Sequence, residues 1–239
     1  MQIRILLAYF FIMSFPIISF ATFRPVVALS SGLAITNVYS STVIDFAPFQ
    51  NSYIGRNHYN TQFDSGLFMG VETAFSCNFT TQIGLEYFVN SSFKESGSVY
   101  QFTDPLFNNL AYRYKIQSRR ISLAAKISRA FRQIWHPYIS ASMGSASNKA
   151  FHYTEYPVTS ADVPMAQPFD NHTTSAFTYS IGIGADVDVA EHWRLGAGYR
   201  FVDLGKACLG VSPLQSSTET ICSTHMNANE ILVQISYLG

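Results

Sequence analysis

From Phe177 to Val189 the odd positions are Phe177, Tyr179, Ile181, Ile183, Ala185, Val187 and Val189, and the even ones are Thr178, Ser180, Gly182, Gly184, Asp186 and Asp188. Odd positions are all apolar or aromatic; even positions are polar, acidic or glycine. A period of two predicts a strand with two unlike faces. Trp193, Leu195, Ala197, Tyr199 and Phe201 alternate in the same way with Arg194, Gly196, Gly198 and Arg200. The pattern recurs in Leu67, Met69, Val71, Thr73 and Phe75, in Ile83, Leu85, Tyr87 and Val89, and in Val27, Leu29, Leu33 and Ile35. Three weaker strands run along Ile121 to Ile127, Ile139 to Met143 and Ile231 to Tyr237. Upstream of Ile121, Tyr112, Tyr114 and Ile116 fall on the opposite parity, which predicts a bulge that re-phases that strand.

Eight strands result, and their connections alternate short and long. The short ones are Ser76-Cys77-Asn78, Ser128 to Ile134 and Ala190-Glu191-His192; the long ones are Asn37 to Asp64, Asn90 to Ala111, Ser147 to Thr174 and Gly205 to Asn227. This predicts an all-β fold: an eight-stranded antiparallel up-and-down transmembrane β-barrel with periplasmic turns and long external loops. A soluble barrel would have to dissolve its second face in water. Here that face is Ala28, Ser30, Gly32, Thr178, Ser180, Gly182, Gly184, Gly196 and Gly198. Such small residues suit a narrow interior instead, and the large apolar face then meets lipid.

Composition agrees with that placement. The chain has 239 residues, 48% hydrophobic and only 13% charged, with 15 Lys and Arg against 15 Asp and Glu. Without a basic excess, a nucleic-acid partner is not expected. Met1 to Arg4 followed by an apolar run to Phe15 and by Ser19-Phe20-Ala21 matches a secretory signal peptide, and Pro16 with the small-x-small ending favours cleavage after Ala21. The expected organisation is therefore a signal peptide over 1–21 and a barrel domain over 22–239, exported to the cell outer membrane.

The charged strand residues share the small face: Glu72, Glu86, Arg120, Lys126, Asp186, Asp188, Arg194, Arg200 and Glu230. Their near balance predicts lumenal ion pairs that plug the barrel, because unpaired buried charge is costly. Across the turn at Glu191, Asp188 and Arg194 should stand opposite each other. Trp135, Trp193 and Tyr237 beside the short turns, and Tyr87, Tyr179 and Tyr199 toward the long loops, predict two aromatic girdles.

The run Gly196-Ala197-Gly198-Tyr199-Arg200-Phe201-Val202-Asp203-Leu204-Gly205-Lys206-Ala207 resembles the penultimate strand of the small Gram-negative outer-membrane β-barrel family that includes opacity-like and OmpX/OmpA-type surface proteins. Tyr112-Arg113-Tyr114-Lys115-Ile116-Gln117-Ser118-Arg119 and Pro137-Tyr138-Ile139-Ser140 are similar to its middle strands. The resemblance implies a monomeric or loosely associated surface protein whose loops serve adhesion, immune exposure or envelope integrity. Its implied partners are outer-membrane lipid and lipopolysaccharide, the barrel-assembly machinery, and a host-cell or matrix ligand. Family members usually end on an aromatic residue, whereas Leu238-Gly239 follows Tyr237 here.

Cys208 and Cys222 lie fourteen positions apart in one expected external loop, so a disulfide is expected in an oxidising compartment; Cys77 is left over as a free thiol. No metal-ligand spacing or cofactor motif is present, and no enzyme activity is expected. The strongest contrary feature is His225-Met226-Asn227-Ala228-Asn229, near the His-x-Ser-Asn motif of outer-membrane lipid A deacylases. Asn227 replaces the serine nucleophile, leaving Ser223 or Thr224 as the nearby hydroxyls. A small-solute porin is the other alternative. The loops are rich in aromatics, among them Tyr39, Phe46, Phe49, Tyr53, Tyr59, Phe102, Phe107, Phe151, Tyr153, Tyr156 and Phe169. These either anchor a ligand or fold into a lid over the barrel mouth.

Overall fold

The computed structural model describes residues 23–46, 49–56, 59–76, 78–132, 134–158, 169–211 and 217–239. The expected signal peptide and Cys77 lie outside the described residues. The strands are β1 (Arg24–Tyr39), β2 (Ser41–Asp45), β3 (Gln50–Gly55), β4 (Tyr59–Ser76), β5 (Phe79–Asn90), β6 (Phe93–Gln101), β7 (Leu110–Arg129), β8 (Trp135–Pro157), β9 (His172–Ala190), β10 (Trp193–Cys208) and β11 (Cys222–Leu238). Eight of them close an antiparallel ring in the order β7, β5, β4, β1, β11, β10, β9, β8, with β7 pairing β8. Closure pairs the backbone of each ring strand on both sides, as a bilayer demands.

The remaining three strands extend one wall. β5 leaves β7 at Val89 opposite Arg119, and β6 takes over at Phe93 opposite Ile116. β3 pairs β6, and β2 pairs β3. The expected long loops are therefore largely strand. β8 runs on to Pro157 and β4 begins at Tyr59, well inside spans expected to be irregular. The lipid-facing pattern ends there because the outer face meets water and turns polar while the inner face turns apolar, so the hydrophobic phase inverts.

The expected bulge upstream of Ile121 is absent. Tyr112, Tyr114, Ile116, Ser118, Arg120, Ser122 and Ala124 all point inward without a change of phase. What changes is the interior: polar at the membrane level, apolar and aromatic above it. The register shift in this region belongs to the β7–β8 pairing between Arg113 and Lys115, beside His152, whose φ is +56°.

Above the membrane level the interior is a hydrophobic core. Val38, Ile44, Tyr53, Tyr112, Tyr114, Leu204, Leu209, Ile221 and Met226 are among its members. Tyr53, Tyr153 and Phe169 meet edge to face, with ring centroids 5.7 Å apart for Tyr53–Phe169 and 4.9 Å for Tyr153–Phe169. The outward face of the ring is the reverse of a soluble protein, with Leu29, Met69, Leu85, Leu123, Ile139, Ile181 and Val233 exposed. That is an apolar band for acyl chains.

Candidate functional site

The lumen at membrane level is crossed by ion pairs. Arg120 on β7 reaches Glu230 on β11 at 2.8 Å and Asp64 on β4 at 3.1 Å. Arg200 on β10 reaches Glu230 at 2.6 Å and Glu86 on β5 at 3.2 Å. In the ring order β7 faces β11 and β10 faces β5, so Arg120–Glu230 and Arg200–Glu86 span the full diameter. Both guanidinium groups also lie over the Phe88 ring, at 4.6 Å and 4.0 Å from its centroid. Phe88 fits because position 66 is glycine: a Cβ there would stand 2.3 Å from the Phe88 ring.

Nearer the short turns a second group forms. Arg194 donates to Asp188 at 2.7 Å and to Glu72 at 2.9 Å, and Gln82 donates to Glu72 at 2.7 Å. The His136 ring nitrogen Nε2 lies 2.7 Å from Asp188, and Lys126 Nζ lies 2.9 Å from Asp186 and 4.4 Å from the Tyr138 ring centroid. The structure thus places all of the expected lumenal charges, Glu72, Glu86, Arg120, Lys126, Asp186, Asp188, Arg194, Arg200 and Glu230, in ion pairs, and adds Asp64 and His136. By alternation alone Asp64 falls at the edge of an external loop. It shares the parity of Gly66, Gly70 and Glu72, and extending that inner face upward reaches it. His136 likewise continues the inward series of Tyr138 and Ser140.

A cavity of about 70 Å³ remains among Glu86, Phe88, Lys126, Tyr138, Ser140 and Arg200. That is room for a few water molecules. Above it Gln62 donates to Thr36, and Asn148 Nδ2 donates to the Leu204 carbonyl at 2.7 Å and the Lys206 carbonyl at 2.8 Å. The hydrophobic core then roofs the network. Within that roof Glu95 is fully buried, and desolvation pushes its carboxyl up to about 8. Burial likewise pushes the Tyr112 hydroxyl up to about 12.

Trp135, Trp193 and Tyr237 are exposed at the short-turn rim, with Trp193 and Tyr237 centroids 5.3 Å apart. Tyr87, Tyr179 and Tyr199 are exposed further up the same outer surface, where Tyr199 donates to Asn229 at 2.5 Å. Cys208 and Cys222 are bonded and tie the external ends of β10 and β11. The loop aromatics divide. Tyr53, Phe46, Tyr153 and Phe169 pack into the roof, while Tyr39, Phe49, Tyr59, Phe102, Phe107 and Tyr156 remain exposed. His225 is exposed opposite Tyr39, but the buried Ser223 hydroxyl is held by the Ala207 backbone. Ser223 and His225 therefore form no nucleophile–base pair. Among the described residues no group of three His, Cys, Asp or Glu is placed to hold a metal ion.

An antiparallel ring with an apolar exterior, a charged interior and two aromatic rims defines a bacterial outer-membrane β-barrel. Residues 22–237 match the outer membrane protein beta-barrel domain family, and the chain belongs to it. It is an outer-membrane protein. Similar solved structures include Neisserial surface protein A, at 10% identity and a TM-score of 0.47, covering 89% of this chain and 96% of that one. The outer membrane protease OmpT from Escherichia coli matches at 10% and 0.46, over 92% and 98% of the two chains. OprG from Pseudomonas aeruginosa matches at 13% and 0.45, over 90% and 95%. No curated protein matches in sequence.

Proposed function

We propose that this protein is a non-conducting surface-recognition barrel. It is exported by residues 1–21, inserted by the barrel-assembly machinery, and built to hold a rigid external cap above the outer membrane. The observation that carries this reading is the tip of the cap. Phe49, Phe102 and Phe107 form an exposed aromatic cluster, with centroids 5.1 Å apart for Phe49–Phe102 and 5.5 Å for Phe102–Phe107. Leu106 beside them is 88% exposed. The turn is held in strain, since Phe102 and Thr103 adopt φ of +59° and +58°. Asp104 caps the adjoining helical turn by accepting the Leu106 N–H at 2.9 Å. A strained, capped turn that presents apolar side chains to water is the form of a binding anchor, here for a host-cell or matrix surface. The charged lumen serves to make the platform stiff and keeps space only for a few water molecules.

The test is adhesion of cells displaying wild type or the Phe102→Ser, Leu106→Ser double variant to cultured epithelial cells and to immobilised matrix proteins. Binding should fall severalfold in the variant at equal surface display. Equal binding by both would remove the tip from any recognition role.

A further inference from the structure

We propose that the outward wall formed by β6, β7 and β8 binds the phosphate groups of a tall outer-leaflet glycolipid. The wall goes beyond the recognition reading, because it faces the surrounding membrane and lies away from the aromatic tip. On β7 the outward series is Arg113, Lys115, Gln117 and Arg119, flanked by Lys94 on β6 and Lys149 on β8. None of these five cations forms an ion pair with a described carboxylate. Glu95 and Glu155, the acids of β6 and β8, are on the inward series beside the aromatic roof.

One feature makes the arrangement costly without a ligand, and a second shapes the groove. Lys94 and Lys115 are direct register partners, both outward, so like charges stand opposite each other on neighbouring strands. His152 takes a positive φ beside them, and its backbone N–H is held by Asn171 at 2.9 Å. The result is an open groove of about 280 Å³ lined by Lys94, Arg113, Tyr114, Lys115, His152 and Thr154. An anion seated there would bridge Lys94 and Lys115 and relieve their repulsion. The stacking partners of Arg113 and Lys149 are aromatic, Tyr156 at 5.6 Å and Phe151 at 5.5 Å, which holds the side chains against the wall.

Position identifies the occupant. On the same face of β7, Arg119 is followed by Ile121, Leu123 and Ile127, all exposed in the lipid band. Arg119 thus stands one pleat above the first lipid-facing aliphatic residue, about 5 Å higher once the strand tilt is counted, at headgroup depth. From Arg119 to Arg113 the ladder runs about 20 Å along the strand, a climb of about 15 Å at the roughly 40° tilt of barrel strands. A phospholipid headgroup layer is only about 5–7 Å deep and would reach Arg119 alone. A headgroup bearing phosphates on several sugars reaches the whole ladder. The cluster is confined to one wall: above the lipid band, the outward positions of β1, β4, β5, β9 and β11 hold no Lys or Arg, and β10 holds Lys206 alone.

The test uses the mature barrel in phosphatidylcholine nanodiscs doped with lipopolysaccharide whose inner core is phosphorylated, or with the same glycolipid after phosphatase treatment. Bound glycolipid is counted by native mass spectrometry. Wild type should retain the phosphorylated form, lose it in high salt, and bind the dephosphorylated form at least about tenfold more weakly. A Lys94→Gln, Lys115→Gln, Arg119→Gln variant should lose retention about tenfold, whereas Lys94→Arg with Lys115→Arg should keep it. Heat-modifiable migration on gels checks that each variant is folded, and the single Lys115→Gln variant serves if the triple one is not. Equal retention by the Gln variant, or by the dephosphorylated glycolipid, overturns the proposal. So does tighter binding of soluble inositol hexakisphosphate to the detergent-solubilised barrel, which would make the wall a site for a free polyanion. Because the aromatic tip is intact in all these variants, their adhesion reports separately on the recognition reading.

Discussion

Glu95 holds a carboxyl in the apolar roof, where burial raises its pKa from 4.5 to about 8 against the opposing pull of the Ser96 backbone. Tyr112 and Tyr114 lie near it and are themselves pushed above the usual tyrosine value by burial. The folded chain therefore keeps a proton that the unfolded chain gives up. Stability contributed by this site is present below about 4.5, declines as pH rises toward about 8, and is flat beyond. Hydrogen exchange of β6 and β7 amides should be faster at pH 9 than at pH 5 beyond the intrinsic rate change, and Glu95→Gln should abolish that excess. At Arg120 the expectation is larger. Its side chain is 1% exposed and pairs with Asp64 and Glu230. Arg120→Met takes from buried Asp64 its close cation and leaves Glu230 with Arg200 alone, a cost of about 3–5 kcal/mol, measurable as a lower urea midpoint for the barrel refolded in lipid vesicles.

At the scale of elements, the disulfide joins the last registered pair of β10 and β11. Beyond it Leu209 N–H still donates to Ile221 at 2.9 Å, and both side chains are buried in the roof. Cys208→Ser with Cys222→Ser should cost up to about 3 kcal/mol in the chain-entropy model. It should also open the β10–β11 ends to protease near Lys206, while the lipid-spanning halves stay protected. These strands also show how much of the molecule was legible in the sequence. Where one face meets lipid and the other the lumen, as at Phe177 to Val189, side-chain alternation fixed strand, face and partner. Above the lipid band the interior of β7 turns apolar at Tyr112, Tyr114 and Ile116 while Arg113 and Lys115 point outward. The hydrophobic phase inverts there although the backbone does not. The same inversion hid β2, β3 and β6 and left Asp64 outside the expected network. Contacts across the diameter, such as Arg200 to Glu86, depend on closure of the ring and have no local signal at all.

Taken whole, the molecule divides its scarce charges between two environments. Carboxylates and guanidinium groups cross-brace the lumen, a row of cations points outward on β7 above the apolar band, and two aromatic rims bound that band. The 48% hydrophobic content is therefore shared between lipid contact and the external roof instead of one central core. A barrel so braced and roofed should act as a solid support for its cap. Single-channel recording of the mature chain refolded into planar bilayers is the decisive test. A flat baseline at neutral pH, with no discrete steps, is expected. Stable openings of porin size from the folded wild-type barrel would contradict the plugged lumen.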